Sequence, residues 1–292
     1  MSEASSAAIG EGPLAIICGG GTLPFTVAEA ASKGGRRVVL FALRGSADAD
    51  RVAAYPHHWA SYGQFGRFCK LAREEGCRDV VFIGTVVRPA IWQVWPDLGT
   101  IRFIPRILRM FRGGDNHLLS GVAQAFEEQG FRLLGAHEVA PEILMPEGVL
   151  GSREPSAEDC ADIARGLAVL HATGPFDIGQ AVIVANNHVL AIEAAEGTDH
   201  MLARVAEMRR IGRISSPRGR GVLVKAPKAG QDRRIDLPSI GPQTIANVAE
   251  AGLAGLALVA GAAIVAEPQR IAAAAQREQL FVIGVREHGQ TP

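Results

Sequence analysis

The sequence predicts an α/β protein of two domains, a Rossmann-like parallel sheet followed by a mixed α/β domain, joined by a Pro/Gly linker. Three observations carry that expectation. Short apolar runs alternate with helical patterns from the start of the chain, and glycines mark the changeovers. Residues 139–156 lack periodicity and hold Pro141, Pro146, Gly148, Gly151 and Pro155. Beyond them, two apolar runs separated only by Asn186-Asn187 form a hairpin signature that the first half lacks. The expected organisation is a disordered lead-in at 1–13, a first domain at 14–138, a linker at 139–156 and a second domain at 157–292.

Taken in order, Pro13–Cys18 is an apolar strand that stops at Gly19-Gly20-Gly21 and passes into a helix through Ser32. Arg37–Ala42 follows a Gly34-Gly35 stop as a second strand. Phe65–Glu75 reads as a helix and Asp79–Ile83 as a third strand ending at Gly84. Such a succession opens a parallel sheet with right-handed crossovers. Ile104–Phe111 and His117–Gln129 are helical segments either side of Gly113-Gly114-Asp115, and Arg132–Leu134 adds a strand. In the second half, Ser156 and Asp159 cap the helix Ala157–Thr173. Gln180–Ala185 and His188–Ala194 are the hairpin strands, and Thr198 or Asp199 caps a helix reaching about Arg210. A short strand occupies Gly221–Val224. Pro242 at a first helical position and Gly252 past a last one bound the next helix. Pro268–Arg277 is a helix and Leu280–Val285 the closing strand.

Composition narrows the function. Thirty basic and thirty acidic residues give a formal net charge of zero, which argues against a nucleic-acid partner. Cys18, Cys69, Cys77 and Cys160 have no metal-ligand spacing and read as reduced, buried thiols of a cytoplasmic protein. The first thirteen residues have neither the basic region nor the apolar core of a signal peptide. Ala251–Ala266 is apolar, but it is shorter than the roughly 20 residues a membrane span requires. It is also bounded by Glu250 and Glu267 and interrupted at Gly255 and Gly261, so two buried strands are expected there.

The chemistry concentrates in the stretch Val224–Ile245. Lys225, Lys228, Asp232, Arg233, Arg234 and Asp236 fall within twelve positions, between a strand and a helix. A solvated loop has that composition. So does a site for a divalent cation and a polyphosphate, with Asp236 just ahead of a helix N-terminus. Gly19, Gly20, Gly21 and Thr22 end the first strand and open a helix, as a phosphate cradle or a tight turn would, without matching GxGxxG or Walker A. Arg44 stands where an acidic ribose contact would follow the second strand, leaving an NADP-type reading open. Glu196-Gly197-Thr198-Asp199 follows the hairpin: Asp199 is either a plain N-cap or, with Glu196, projects toward the phosphates or metal that Asp236 serves. Asp177 and Gln180 sit just before the hairpin. His137-Glu138 is either a structural hydrogen-bonding pair or part of a site. Neither HExxH nor GxSxG occurs, so metal-assisted attack of water on phosphate fits better than serine chemistry.

Several stretches carry a resemblance: IICGGGTLP at Ile16–Pro24, YGQFGRFCKLAREEGCRDVVFIGTVVRP at Tyr62–Pro89, GAHEV at Gly135–Val139 and DIGQAVIV at Asp177–Val184. VLAIEAAEGTDHMLARV at Val189–Val205 and VKAPKAGQDRRIDLPSIGPQTI at Val224–Ile245 are the most specific. On these the chain resembles the LpxI-type UDP-2,3-diacylglucosamine pyrophosphatases of bacterial lipid A biosynthesis. The resemblance implies a two-domain, dimeric, cytoplasmic enzyme with at most peripheral contact at the inner face of the inner membrane, and with its catalytic residues in the second domain. It implies hydrolysis of UDP-2,3-diacylglucosamine to UMP and lipid X, with Mg²⁺, or Mn²⁺, as cofactor. The family's essential aspartate lies in D-L-P-[ST]-I-G, here Asp236-Leu237-Pro238-Ser239-Ile240-Gly241, which gives Asp236 a catalytic or metal role and makes Asp199 a second metal candidate. Gly19, Gly20, Gly21, Thr22, Lys225, Lys228, Gln180 and Thr198 are the substrate- and phosphate-binding candidates. Gly114-Asp115-Asn116 departs from the G-D-D of similar sequences. Two other classes compete: a non-catalytic lipid or nucleotide carrier, and an NAD(P)-dependent oxidoreductase.

Overall fold

A computed structural model describes residues 12–86, 97, 100, 115–228 and 231–287, the side chains of 115–119 excepted. The chain divides into two compact units, Met1–Pro141 and Glu142–Pro292.

The first unit is built on β1 (Leu14–Cys18), β2 (Val38–Leu43), β3 (His57–Ala60), β4 (Asp79–Ile83) and β5 (Arg132–Leu134), all parallel in the order β3-β2-β1-β4-β5. This is the doubly wound arrangement the sequence predicts. β1 and β2 are fully or almost fully buried, which suits their near-continuous apolar runs. The helices α1 (Leu23–Lys33), α2 (Ala49–Val52), α3 (Phe65–Glu74) and α4 (Asp115–Glu128) connect them, and α5 (Ala136–Val139) follows β5. α2 and β3 escape sequence reading because His57-His58-Trp59-Ala60 is a half-exposed edge strand without an apolar run. The helix expected at Ile104–Phe111 and the lead-in at 1–11 lie outside the described residues.

At the N-terminal end of β4, Asp79 is buried between two guanidinium groups. Its carboxylate accepts from Arg132 Nε (2.8 Å) and Nη2 (2.9 Å), and from Arg36 Nη2. Burial raises the carboxyl pKa, but the hydrogen bonds from Arg132 and Arg36 outweigh it and hold the group below its ordinary value.

The second unit holds a mixed sheet in the order β6-β13-β11-β9-β7-β8. Its strands are β6 (Gly148–Val149), β7 (Ala181–Ala185), β8 (His188–Ile192), β9 (Val222–Lys225), β11 (Gly255–Val259) and β13 (Phe281–Val285). β9, β11 and β13 run parallel, whereas β7 pairs antiparallel with both β8 and β9. β10 (Ser239–Ile240) and β12 (Ile264–Val265) form a separate parallel pair. On one face lies α6 (Ala157–Thr173), whose Ile163, Leu167 and Leu170 pack on Val182, Val222 and Val224. Gly166 allows that approach, since a Cβ there would stand 2.6 Å from Val224 Cγ2. The other face is covered by α7 (Gly197–Arg210), α8 (Pro242–Glu250) and α9 (Pro268–Arg277), packed on Ile183, Leu223 and Leu256.

Three details differ from the sequence reading. The stretch expected as a linker carries β6, which pairs antiparallel with Ile283 and Gly284 of β13. Neither Thr198 nor Asp199 caps α7: Glu196 occupies the N-cap position without a side-chain cap bond. Cys160 is only half-buried, although all four cysteines are free thiols. The apolar stretch near Gly261 does split into β11 and β12, and no helix among the described residues is long and apolar enough to cross a membrane.

Asp79→Ala would strand Arg36 in the interior without its counter-charge, so a loss of about 3–5 kcal/mol is expected in denaturant unfolding. Because the folded carboxyl pKa is depressed, the wild-type contribution is present above about pH 4 and disappears as pH falls through the folded value. An Asp79→Asn protein should therefore show a flatter loss of stability in acid.

Candidate functional site

Lys225 is the last residue of β9, at the C-terminal end of the strand where the sheet changes from parallel to antiparallel pairing. Ligands of open α/β sheets gather at such carboxyl ends. Period-two alternation puts Lys225 on the same side as Leu223, the side covered by α7 and α8. Its Nζ donates to Thr198 Oγ1 in the first turn of α7 (3.0 Å) and to the Ser239 carbonyl of β10 (3.1 Å). With the residue only 5% exposed, burial pushes the ammonium pKa below its ordinary value. The carboxylates of Glu193, Asp199 and Asp236 lie close enough to oppose that shift.

The hairpin end closes around this lysine. Gln180 immediately precedes β7 and Glu193 immediately follows β8. Glu193 N donates to the Ala181 carbonyl (2.9 Å) and Gly179 N to the Glu193 carbonyl (3.1 Å). The Glu193 carboxylate accepts from Gln180 N (2.8 Å) and from the Thr198 hydroxyl (2.6 Å). A Cβ at Gly179 would stand 2.6 Å from Glu193 Cγ, so only glycine fits beside that side chain. The side-chain carbonyl oxygen of Gln180 is buried without a hydrogen-bond partner among the described residues, an acceptor that a ligand donor or a cation would satisfy.

Asp236 lies in the loop after β9, with β10 between it and the start of α8. Its carboxylate accepts from the side-chain amide of Gln231, which is itself buried and whose Oε1 accepts from Lys228 N (2.9 Å). Lys228 Nζ in turn pairs with Asp177 Oδ1 (2.7 Å), and Asp177 adopts the left-handed conformation at φ 53°. A single polar chain thus runs from Asp177 through Lys228 and Gln231 to Asp236. Asp199 accepts from Asn247 Nδ2 of α8 (2.7 Å).

Lys225, Thr198, Gln180, Asp199 and Asp236 are brought together, with Lys228 bonded to the same loop. Glu196 is not: it pairs with Arg204 (2.6 Å), and Asp232 likewise pairs with Arg234 (2.7 Å). Arg233 pairs with Glu287 (3.6 Å). The Glu138 carboxylate accepts from Gly135 N (2.5 Å) at the start of α5, a structural role for the His137-Glu138 motif.

Gly19, Gly20, Gly21 and Thr22 lie in the first unit, at the carboxyl end of β1. Gly20 and Thr85 exchange backbone hydrogen bonds (2.8 and 2.9 Å), and a Cβ at Gly19 would stand 2.8 Å from the Gly84 and Thr85 backbone. These contacts make Gly19 a close-packing glycine. Gly21, at φ 86°, turns the chain into α1, and Thr22 holds its N-cap position without a side-chain cap bond.

Sequence reading did not single out Glu193, Gln231 or Asn247. Glu193 had a signal: a carboxylate ends the apolar run of β8, and the two-residue turn places it opposite the start of β7. Gln231 had none, because a glutamine in a charged loop looks solvated.

No group of three His, Cys, Asp or Glu side chains able to hold a metal occurs among the described residues. Mg²⁺ does not need one. It commonly takes one or two carboxylates and completes its shell with water and substrate phosphate oxygens. The hard oxygens of Asp236 and Asp199, with the orphaned carbonyl of Gln180, fit that mode of binding and not a preformed cage.

Two family models cover nearly the whole chain: the LpxI N-terminal domain matches residues 13–143 and the LpxI C-terminal domain residues 146–283. A curated relative from Caulobacter vibrioides, the UDP-2,3-diacylglucosamine pyrophosphatase LpxI, is 42% identical over 272 residues, 93% of this chain and 97% of its own length.

Two glycines beside the site separate packing from exposure. Gly179→Ala is expected to cost about 1–3 kcal/mol by driving a methyl group into Glu193. Gly241→Ala, where a Cβ would meet nothing within 4 Å, should stay within about 0.5 kcal/mol of wild type in the same denaturation experiment.

Proposed function

The chain belongs to the LpxI family, matched in both domains, and from that premise we propose that it hydrolyses the pyrophosphate of UDP-2,3-diacylglucosamine. The products are UMP and 2,3-diacylglucosamine 1-phosphate, lipid X, which places the reaction in lipid A biosynthesis. The observation that carries the reading is Lys225. An ammonium has three N–H donors, and Thr198 and Ser239 take two of them. A phosphate oxygen of the substrate is a suitable acceptor for the third. Its charge would repay the desolvation that otherwise weakens the buried lysine.

The other residues follow from the same geometry. Lys228, tethered to Asp177, adds a second cation beside the loop, and the Gln180 carbonyl accepts from a substrate hydroxyl or binds cation. Asp236 supplies the carboxylate that the attacking water needs, oriented by Gln231. Asp236, with Asp199, would hold Mg²⁺, which when bound neutralises phosphate charge and polarises the phosphorus under attack. Oligomerisation as a homodimer and a cytoplasmic location with at most peripheral membrane contact complete the proposal. A carrier would have no use for a carboxylate placed to activate water, and the Lys225–Asp236 arrangement offers no partner for hydride transfer.

Hydrolysis of UDP-2,3-diacylglucosamine in ¹⁸O-labelled water tests the reading. UMP and lipid X should form with Mg²⁺ and cease with EDTA, and the label should enter one of the two products. A folded, metal-loaded protein that gives no UMP would overturn it. Asp236→Asn is expected to lower kcat by about 10²–10⁴-fold at an unchanged melting temperature.

A further inference from the structure

We propose that Glu193 is a positioning residue for this reaction, fixing the proton of the Thr198 hydroxyl so that Thr198 can only accept from Lys225. The inference rests on the reading of Lys225 as a phosphate ligand and concerns a residue that touches no substrate in that reading. Its grounds are geometric. Thr198 has one hydroxyl proton, and the 2.6 Å bond gives it to Glu193 Oε1. The oxygen must then face Lys225 Nζ, 3.0 Å away, with a lone pair. Glu193 has little freedom to do otherwise. The residue is 7% exposed, its other oxygen is held by Gln180 N, its backbone is clamped at both ends to Gly179 and Ala181, and Gly179 packs against its stem.

The direction of that one proton decides where the ammonium can sit. With Thr198 accepting, two of the three lysine donors are anchored, and the third has a single direction left for a phosphate oxygen. Were the hydroxyl proton turned toward Lys225, two donors would face each other and the ammonium would withdraw. Preorganised donors lower barriers because they need no reorganisation as charge develops. The effect should therefore fall on kcat more than on KM.

Glu193→Gln separates this role from a structural one. The amide carbonyl can still accept from Gln180 N, while its NH₂ faces Thr198 and takes away the acceptor that fixes the hydroxyl proton. Kinetics on UDP-2,3-diacylglucosamine are compared for wild type, Glu193→Gln, Thr198→Val, Thr198→Ser and the Glu193→Gln/Thr198→Val double variant, each with its melting temperature. Expected are a fall in kcat of about 10–100-fold for Glu193→Gln and for Thr198→Val, with KM within about threefold. The double variant should be no worse than the poorer single, since both cut the same link, and Thr198→Ser, which restores the hydroxyl, should recover most of the kcat that Thr198→Val loses. A folded Glu193→Gln with wild-type kcat, or single losses that multiply in the double variant, would overturn the proposal. If Glu193→Gln does not fold, the Thr198 pair decides: loss in Val with recovery in Ser supports it, and wild-type kcat in Val refutes it. An inactive wild type removes the pyrophosphatase reading and this inference together, whereas an active wild type with an equally active Glu193→Gln removes only the inference.

Discussion

A lysine ammonium out of water needs compensating charge and hydrogen bonds nearby, and the second unit is arranged around meeting that need at Lys225. The strand that delivers it is apolar until its last residue, and the surrounding elements each contribute one answer. α7 brings Thr198, β10 brings a carbonyl, the hairpin end brings Glu193 and the following loop brings Asp236. Desolvation still wins, since the lysine pKa ends below its ordinary value. A cation held in that condition gains from an incoming anion more than a solvated one does. The fold tolerates a local penalty that a phosphate-bearing ligand relieves.

The two units manage buried charge differently. Asp79 sits between two guanidinium groups with both carboxylate oxygens engaged, so its charge is matched within the protein and serves stability. Lys225 keeps one donor uncommitted and no direct ion pair among the described residues. Closed and open arrangements of charge in one chain distinguish a structural network from a site more clearly than burial alone, because both groups are buried.

The elements visible in the sequence are those whose signals are local. Ser156 with Asp159 announces the start of α6, Pro268 that of α9, and Asn186-Asn187 the hairpin, and each stands where its chemistry puts it. The hidden elements depend on contacts far along the chain. β3 is a strand because β2 lends it hydrogen bonds, and β6 because β13 does. The site divides the same way. Lys225 and Asp236 stand out as charges flanking a strand–helix loop, while Gln231 and Glu193 acquire meaning only through partners that folding supplies. Thr198 draws notice in the sequence as a helix cap, although its hydroxyl points to Glu193 and away from its own backbone.

The hairpin contains one more feature of consequence. Ala185 faces His188 and Val184 faces Val189, but Ile183 faces Ala191 and not Leu190, so one residue of β8 is stepped over. Side chains alternate faces along a strand, and this extra residue therefore acts as a parity bit between the turn and the site. Asp162 pins the turn by accepting from both Asn186 N and Asn187 N, leaving the count no slack at the other end. A single-residue insertion or deletion between 187 and 193 would turn the carboxylate at its end to the opposite face. The number of residues in the hairpin, as much as their chemistry, sets which way Glu193 points.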